Sequence, residues 1–406
     1  MLTSLSIFDY ILLGLLLVAF LAQLYFYLRY LFAPARQLRK DKKSQITNDQ
    51  SQIETPGVSL ILCAHNESDN LSQYLQALLT QDYPEYEVIV VDDGSEDSTR
   101  QIIEDYMARD ERLHMTFVPY GARVGSTKKL ALTLAAKAAK YDYFLLTDAD
   151  CVPESDHWIS EMMRGFDQSP MTNHQSPIDI VLGFGAYFHT KGHVNRLIRY
   201  DTLFNGLHYL GAALCGHPYM GVGRNLAYRK SLFFESGGFT HLMTSKAGDD
   251  DLFVNHVATS ANTAVVLSRD SYTWSPAKRT FKEWWQQKRR HLSVSPAYRP
   301  ETKFRLALEP LTRGLFYITW LLAMWVYWPF NCLWSMVHCP LSIVHLPFLI
   351  ALSLFLLRWI LQALVLNVSA RRMGLSRFPM ISILWFDIAL PLVNLWMLLI
   401  PKKYKW

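Results

Sequence analysis

The sequence predicts an α/β domain with a mostly parallel, doubly wound sheet, set between transmembrane helices at both ends of the chain. Three observations predict it. Between residues 57 and 277, apolar β-branched runs alternate with segments of helical spacing, as in parallel sheets covered by helices. Two of those runs end in acids, Asp92-Asp93 and Asp148-Ala149-Asp150, and ligands of open α/β sheets sit at the C-terminal strand ends. Apolar stretches long enough to cross a bilayer stand at both ends of the chain.

Ile7 to Phe32 is the first apolar stretch, with Arg29 near its end and Arg36, Arg39, Lys40, Lys42 and Lys43 after it. It is too long for a signal-peptide core and lacks a small-residue cleavage site. Residues 1–36 are therefore expected to remain as an anchor, with the N-terminus outside and the basic flank, like the next domain, in the cytoplasm. Residues 37–56 are polar and read as a linker. The domain at 57–277 opens with a strand over 58–64, a turn at His65 to Ser68 and a helix from Asn70 to Gln81. A second strand, 86–91, runs into Asp92-Asp93-Gly94-Ser95. A helix over 98–109, a short strand at 115–118 and a helix over 128–140 lead to the strand Tyr143 to Leu146, which continues into Asp148 and Asp150.

Beyond Pro153 the alternation loosens. A helix is expected over 158–166, a loop over 168–179, a strand over 180–185 and a long helix from His193 to Leu214. A glycine-punctuated strand follows over 221–228, then an acidic turn, Gly248-Asp249-Asp250-Asp251, and a strand over 265–267. Lys278 to Ser295 is basic and carries Trp284 and Trp285, which suits a helix in the headgroup zone; residues 278–310 are taken as an interfacial segment. Three further apolar runs, 311–331, 341–367 and 378–400, carry Trp or Tyr as spans do and make up the C-terminal region 311–406. The last contains Asp387, Pro391 and Asn394, and Lys402, Lys403 and Lys405 follow it, which opposes the positive-inside tendency if all three runs span.

The chain has 406 residues, a net charge of +5 and 50% hydrophobic content, high for a soluble protein. The positive charge is local to the membrane flanks, and no basic groove with interleaved aromatics points to nucleic acid. The five cysteines are odd in number and form no C-x-x-C pair, consistent with a reducing compartment for the middle domain. Cys332 and Cys339 flank a loop between spans and would be free to pair if that loop lay outside.

On an extended strand, Asp148 and Asp150 point the same way, and two carboxylates held together call for a cation or protons. An oxygen-ligated divalent ion beside a phosphate is one reading; Asp-rich turn chemistry is the other. Asp92 and Asp93 can accept hydrogen bonds from a base or ribose, or form an Asp-Gly turn. Lys128 opens a helix and can meet a diphosphate there. Gly248 to Asp251 can cap a helix or supply a general base. Gln287 to His291 is a basic polar-aromatic cluster.

The order of these stretches is similar to that of the family-2 inverting glycosyltransferases with membrane-embedded C-termini, the group containing cellulose, chitin and hyaluronan synthases and ceramide glucosyltransferases. Residues 58–67 resemble V-S-V-I-I-P-A-Y-N-E, ending at Glu67, and residues 87–95 resemble E-V-I-V-V-D-D-G-S. Residues 127–133 resemble G-K-x-x-A-L-N, with Thr127 and Thr133 in place of Gly and Asn. Asp148-Ala149-Asp150 matches D-x-D, and residues 221–239 resemble the acceptor-side segment ending in G-G-F. Gly248-Asp249-Asp250 resembles the G-D-D base motif. Gln287 to His291 resembles Q-x-x-R-W, with His291 where Trp is usual.

The resemblance implies a GT-A-type nucleotide-sugar-binding domain. It places Glu67, Asp92, Asp93, Lys128, Asp148, Gln287 and Arg290 around a nucleotide-sugar donor, most simply a UDP-sugar. It gives Asp148 and Asp150 a Mg²⁺ or Mn²⁺ ion, makes Asp250 the general base, and puts Asp249 and His291 on the acceptor side. It implies a multi-pass integral membrane protein with its catalytic domain in the cytoplasm, at the inner membrane if the source is bacterial. Partners would be the donor, the membrane, and a lipid, lipid-linked or glycan acceptor. Histidine stacks less than tryptophan, which favours a lipid or lipid-linked acceptor over processive polysaccharide synthesis; the polymer reading stays open, as does a non-catalytic membrane scaffold.

Overall fold

A computed structural model describes residues 6–44, 55–119, 125–168, 177–243, 247–328 and 346–399. Ten strands run β1 Val58–Ala64, β2 Tyr86–Asp92, β3 Leu113–Phe117, β4 Tyr143–Leu146, β5 Val152–Pro153, β6 Ile180–Leu182, β7 Gly185–Tyr187, β8 Leu226–Arg229, β9 Thr263–Val265 and β10 Thr273–Ser275. The α-helices are α1 Ile7–Phe26, α2 Ala33–Ser44, α3 Ser68–Leu79, α4 Thr99–Met107, α5 Thr127–Ala138, α6 Trp158–Met163, α7 His193–Leu214, α8 Lys230–Glu235, α9 Asp251–Val257, α10 Phe281–Leu292, α11 Pro300–Val326, α12 Leu346–Arg372 and α13 Met380–Leu399.

The main sheet has the order β3-β2-β1-β4-β8-β6-β9. Only β8 runs against its neighbours, pairing antiparallel with β4 and β6. Strand alternation sorts the core into two layers. Ile61, Ile89, Phe144 and Leu146 pack with α5 and α7, while Leu60, Leu62, Val88, Val90 and Leu145 pack with α3, α4 and α6. Because β1, β2 and β4 are parallel, their C-terminal ends open on one edge. A small sheet, β5-β10-β7, lies beyond that edge.

Several elements differ from the sequence reading. The strand expected over 221–228 starts only at Leu226, because the Asn225 amide donates back to the Val222 carbonyl (2.8 Å) in a turn. The polar stretch taken as a linker from residue 37 is helical to Ser44; residues 45–54 lie outside the described residues. Helix α10 is fixed at its start by a reciprocal cap between Thr280 and Glu283. Its Trp284 is buried in the larger core rather than turned to headgroups.

Three helical stretches are long and apolar enough to cross a membrane among the described residues: Ile7–Asp41, Leu346–Arg372 and Met380–Leu399. Residues 311–326 of the expected span at 311–331 lie in α11, which begins at Pro300, runs on through Pro310 and carries Glu309 and Arg313; residues 329–331 lie outside the described residues. It does not reach the same apolarity, and one face packs on α1 through Phe316 and Ala323 against Leu12, Leu16 and Phe20. Cys332, Cys339 and Lys402, Lys403 and Lys405 lie outside the described residues.

The acid noticed in the last span has partners. Asp387, 1% exposed, accepts from Arg358 Nη1 (2.7 Å), the Tyr317 hydroxyl (2.5 Å) and Gln362 Nε2 (2.7 Å). Arg313 lies 3.2 Å from Asp387 Oδ1, the oxygen that Gln362 reaches, and 2.5 Å from Glu309. Arg358 Nη2 also donates to Gln23 Oε1 (3.0 Å), so α1, α11, α12 and α13 meet on one charge-balanced set. Burial of such charges is tolerated only when each is paired and hydrogen-bonded.

Candidate active site

The main-chain pairing of β4 continues one residue beyond its end: Thr147 donates from its amide to the Ile61 carbonyl (3.1 Å) and from its hydroxyl to the Arg224 carbonyl (3.2 Å). The chain then turns, with the Cys151 amide donating to the Asp148 carbonyl (3.1 Å). Asp148 and Asp150 thus sit in a turn and not on an extended strand. The turn still gathers them: one ligand atom each from Asp148, Asp150 and Cys151 lies within 4.8 Å of the others. Burial and the neighbouring carboxylates keep the Cys151 thiol protonated. The available donors are therefore two hard carboxylates, a set that fits Mg²⁺ or Mn²⁺ better than a thiophilic metal.

Lys128 stands in the first turn of α5. Its Nζ lies 3.0 Å from Asp148 Oδ1 and 3.2 Å from Asp249 Oδ2. Burial works against the ammonium, but these two carboxylates hold it charged. The effect on the acids is unequal. Burial opposes ionisation of Asp148, and Lys128 overrides it, lowering the pKa; Asp150, with burial and Asp148 both acting against it, is raised. Glu67 joins the same field. Burial raises its carboxyl, Asp150 and Asp148 add to the rise, and Lys278 opposes it.

Asp250 caps α9. Its Oδ1 accepts from the Asp251 amide (2.8 Å) and its Oδ2 from the Gly223 amide (2.8 Å). A Cβ at 223 would approach Asp250 Oδ2 to 3.3 Å, so a side chain there would make the carboxylate shift by a few tenths of an ångström. Burial and then Asp249 push the Asp250 pKa up, against Lys128 and the two amides. Asp251 points the other way and accepts from the Tyr298 hydroxyl (2.9 Å); burial and Asp250 push it up to about 8.

The other expected residues divide. Asp92 is buried, and its Oδ1 accepts from the Ser95 amide (3.0 Å), so part of its carboxylate closes its own turn. Asp93 Oδ2 accepts from the Thr127 hydroxyl (2.6 Å), tying the end of β2 to α5. Gln287 donates to the Tyr187 hydroxyl (3.3 Å). Lys288 grips both oxygens of Asp201 on α7 at 2.7 Å, fixing α10 over the domain. Arg290 and His291 are exposed at the C-terminal end of α10, and the Arg290 charge helps keep Asp148 ionised.

Sequence reasoning missed Arg224. Its guanidinium donates to Ser275 Oγ (2.8 Å) and the Gly185 carbonyl (2.9 Å) and lies 4.2 Å over the Tyr187 ring. Its charge acts on Asp148 and Asp150. Its only trace in the sequence is its place within the 221–239 segment.

The family described as Glycosyl transferase family 2 matches residues 59–233, which holds the β1, β2 and β4 ends and the Asp148–Asp150 turn. Residues 59–233 are thus similar to a family-2 glycosyltransferase domain. The domain has the GT-A fold. A mannosyltransferase from Pyrobaculum calidifontis, solved with GDP-Man and Mn²⁺, superposes with a TM-score of 0.53 at 19% identity, over 90% of this chain and 98% of that one. A poly-β-1,6-N-acetyl-D-glucosamine synthase of Staphylococcus epidermidis is 33% identical over 111 residues, 27% of this chain. The match spans about a quarter of that synthase's length (25%). A probable glycosyltransferase of Bacillus subtilis, YdaM, is 25% identical over 59% of this chain and 56% of its own length.

Proposed function

We propose that the chain is a membrane-anchored, inverting glycosyltransferase that moves a sugar from a nucleotide-sugar, taken as a UDP-sugar, to an acceptor hydroxyl at the membrane surface. The observation that carries this reading is the junction of two acid pairs, Asp148–Asp150 and Asp249–Asp250, bridged by Lys128 at the open edge of the sheet. Asp250 acts as general base. Burial and Asp249 raise its pKa, which makes it a stronger base than a free carboxylate, and the Gly223 and Asp251 amides hold its carboxylate in place. It takes the acceptor proton as the acceptor oxygen bonds to the anomeric carbon. The bond from that carbon to the diphosphate breaks in the same displacement, and the nucleoside diphosphate leaves with the electron pair.

Lys128, Arg224 and Arg290 surround the leaving-group side with positive charge, and charge placed where it develops lowers the barrier. Asp148 and Asp150 would hold a divalent ion, which when bound supplies further positive charge against the diphosphate. Asp92, Asp93 and Glu67 are assigned to the donor, Gln287 to its phosphates, and Asp249 and His291 to the acceptor side.

The acceptor is assigned as a lipid or lipid-linked molecule, since α10, which carries Arg290 toward the acids, packs on the apolar helix α13 and His291 offers little stacking area for a polymer. The staphylococcal synthases favour a second reading, processive synthesis of an amino-sugar polymer. Incubating membranes with radiolabelled UDP-N-acetylglucosamine and other nucleotide-sugars, then extracting with organic solvent, separates the two. Label in the solvent phase as a single-sugar lipid supports the first; insoluble high-mass product supports the second. No transfer from any nucleotide-sugar overturns both.

A further inference from the structure

A second site lies away from the acids, where the first apolar helix reaches its basic flank. Between α2 and the end of α7 is a cleft of about 610 Å³ lined by Arg29, Arg36 and Lys40 on one wall and Leu214, Cys215 and Gly216 on the other. Among the described residues no carboxylate lines it; Asp41, which accepts from the lining Gln37 (2.8 Å), stands next to Lys40 on α2. The α7 C-terminus does not account for the three cations. Its last carbonyls are capped from within the chain: the Gly216 amide donates to Ala213 (2.9 Å) and the His217 amide to Ala212 (2.8 Å), with Gly216 at φ +82°. Arg36 bonds only a neutral group here, the Arg29 carbonyl at 3.0 Å.

Gly216 also belongs to an adjoining pocket of about 440 Å³, whose wall includes Tyr25, Phe26, Tyr30 and Leu306. A cationic cleft thus opens beside a mixed pocket, aromatic on the α1 side and polar where Arg299, Glu301 and Arg305 line it, at the level where α1 leaves its apolar stretch. That pairing matches an amphiphile with an anionic head. Neither lining includes Asp148, Asp150, Asp249 or Asp250. Tyr219 forms part of the mixed pocket's wall, stacks edge-on to Tyr298 (6.3 Å between ring centroids), and Tyr298 in turn bonds Asp251. The site is therefore distinct from the place where donor and acceptor would react.

We propose that Arg29, Arg36 and Lys40 bind the phosphate headgroup of an anionic phospholipid, with its acyl chain against Tyr25, Phe26 and Leu306. This rests on the membrane-anchored reading, but not on the transfer reaction. The test titrates the full-length chain, purified and delipidated in detergent, with dioleoyl-phosphatidylglycerol or dioleoyl-phosphatidylcholine and counts bound lipid by native mass spectrometry. No donor or acceptor is present, so failure here leaves the glycosyltransferase reading standing, and loss of turnover would leave this site standing. Phosphatidylglycerol is expected to bind in preference. The Arg36→Gln/Lys40→Gln variant is expected to lose about tenfold or more in that affinity, at roughly a kilocalorie per cation, while Lys137→Gln, on the exposed side of α5, changes nothing. Equal binding of the two lipids overturns the proposal. So does unchanged affinity in the double variant, or displacement of the lipid by inorganic phosphate alone, which would mark a soluble-anion site.

Discussion

The ammonium of Lys128 lies 3.0 Å from the Asp148 carboxylate. That contact keeps one acid of the turn ionised while Asp150 is held above its usual range. Replacing Lys128 with methionine removes the charge and keeps the length. It is expected to lower kcat/KM roughly 10- to 100-fold, the size of a lost charge-assisted interaction, and to raise the pKa of Asp148. Steady-state kinetics with saturating acceptor measure the first effect.

Asp250→Asn keeps an oxygen for one backbone amide and loses the base. Turnover should fall about 10²- to 10⁴-fold, with nucleotide binding by calorimetry within a few-fold of the parent. A variant that turned over at the parental rate would remove Asp250 from its assigned role.

Asp150→Asn should weaken binding of Mn²⁺, read by the loss of free-ion signal in electron paramagnetic resonance. Chelation with EDTA should abolish transfer by the parent protein, and Mn²⁺ or Mg²⁺ should restore it. In Asp150→Asn the restoring concentration should rise at least about tenfold, the usual scale for losing one charged ligand contact.

The acid limb of the pH profile should move in a known direction. Asp250 works when ionised, so activity rises with pH through its raised pKa. Asp249 contributes to that rise, and Lys128 opposes it. Asp249→Asn removes the repelling charge and leaves Lys128 to act on Asp250, so the limb in kcat/KM should shift to lower pH. A shift upward would contradict the arrangement.

Asp251 makes a linked prediction about stability. Its folded pKa is raised, so the native state binds a proton that the unfolded chain releases near pH 4. That stability is complete below the unfolded value and is lost as pH rises toward about 8. In Asp251→Asn the apparent Tm should decline less between pH 5 and 8 than in the parent, measured by thermal scans in detergent.

Much of this was legible in the sequence. The alternation of β-branched runs and helices pointed to the sheet, and α7 was read to its terminal residues, His193 and Leu214. The acids were legible because polar groups at the end of an apolar run need a reason. Arg224, Gly223 and Tyr298 were not, since each acts through a partner 27 or more residues away: Arg224 on Ser275, Gly223 on Asp250, Tyr298 on Asp251. The turn at Asp148 replaced the expected strand because the Cys151 amide folds back on Asp148. Asp387 looked anomalous in an apolar run for the same kind of reason. Its partners Arg313 and Arg358 sit on other helices.

In the proposed membrane-anchored protein, that set of charges also bears on how the helices enter a bilayer. An apolar helix carrying one unpaired charge is costly to insert, by roughly 3 kcal/mol at its centre. Helix α12 carries Arg358 and α13 carries Asp387, 2.7 Å apart in the finished structure. Each helix is the other's neutraliser, so the pair is expected to leave the insertion machinery together as a hairpin. Helix α1 carries its one acid, Asp9, in its first turn, away from its centre, and can lodge first, with Gln23 already in position to receive Arg358 when the hairpin arrives.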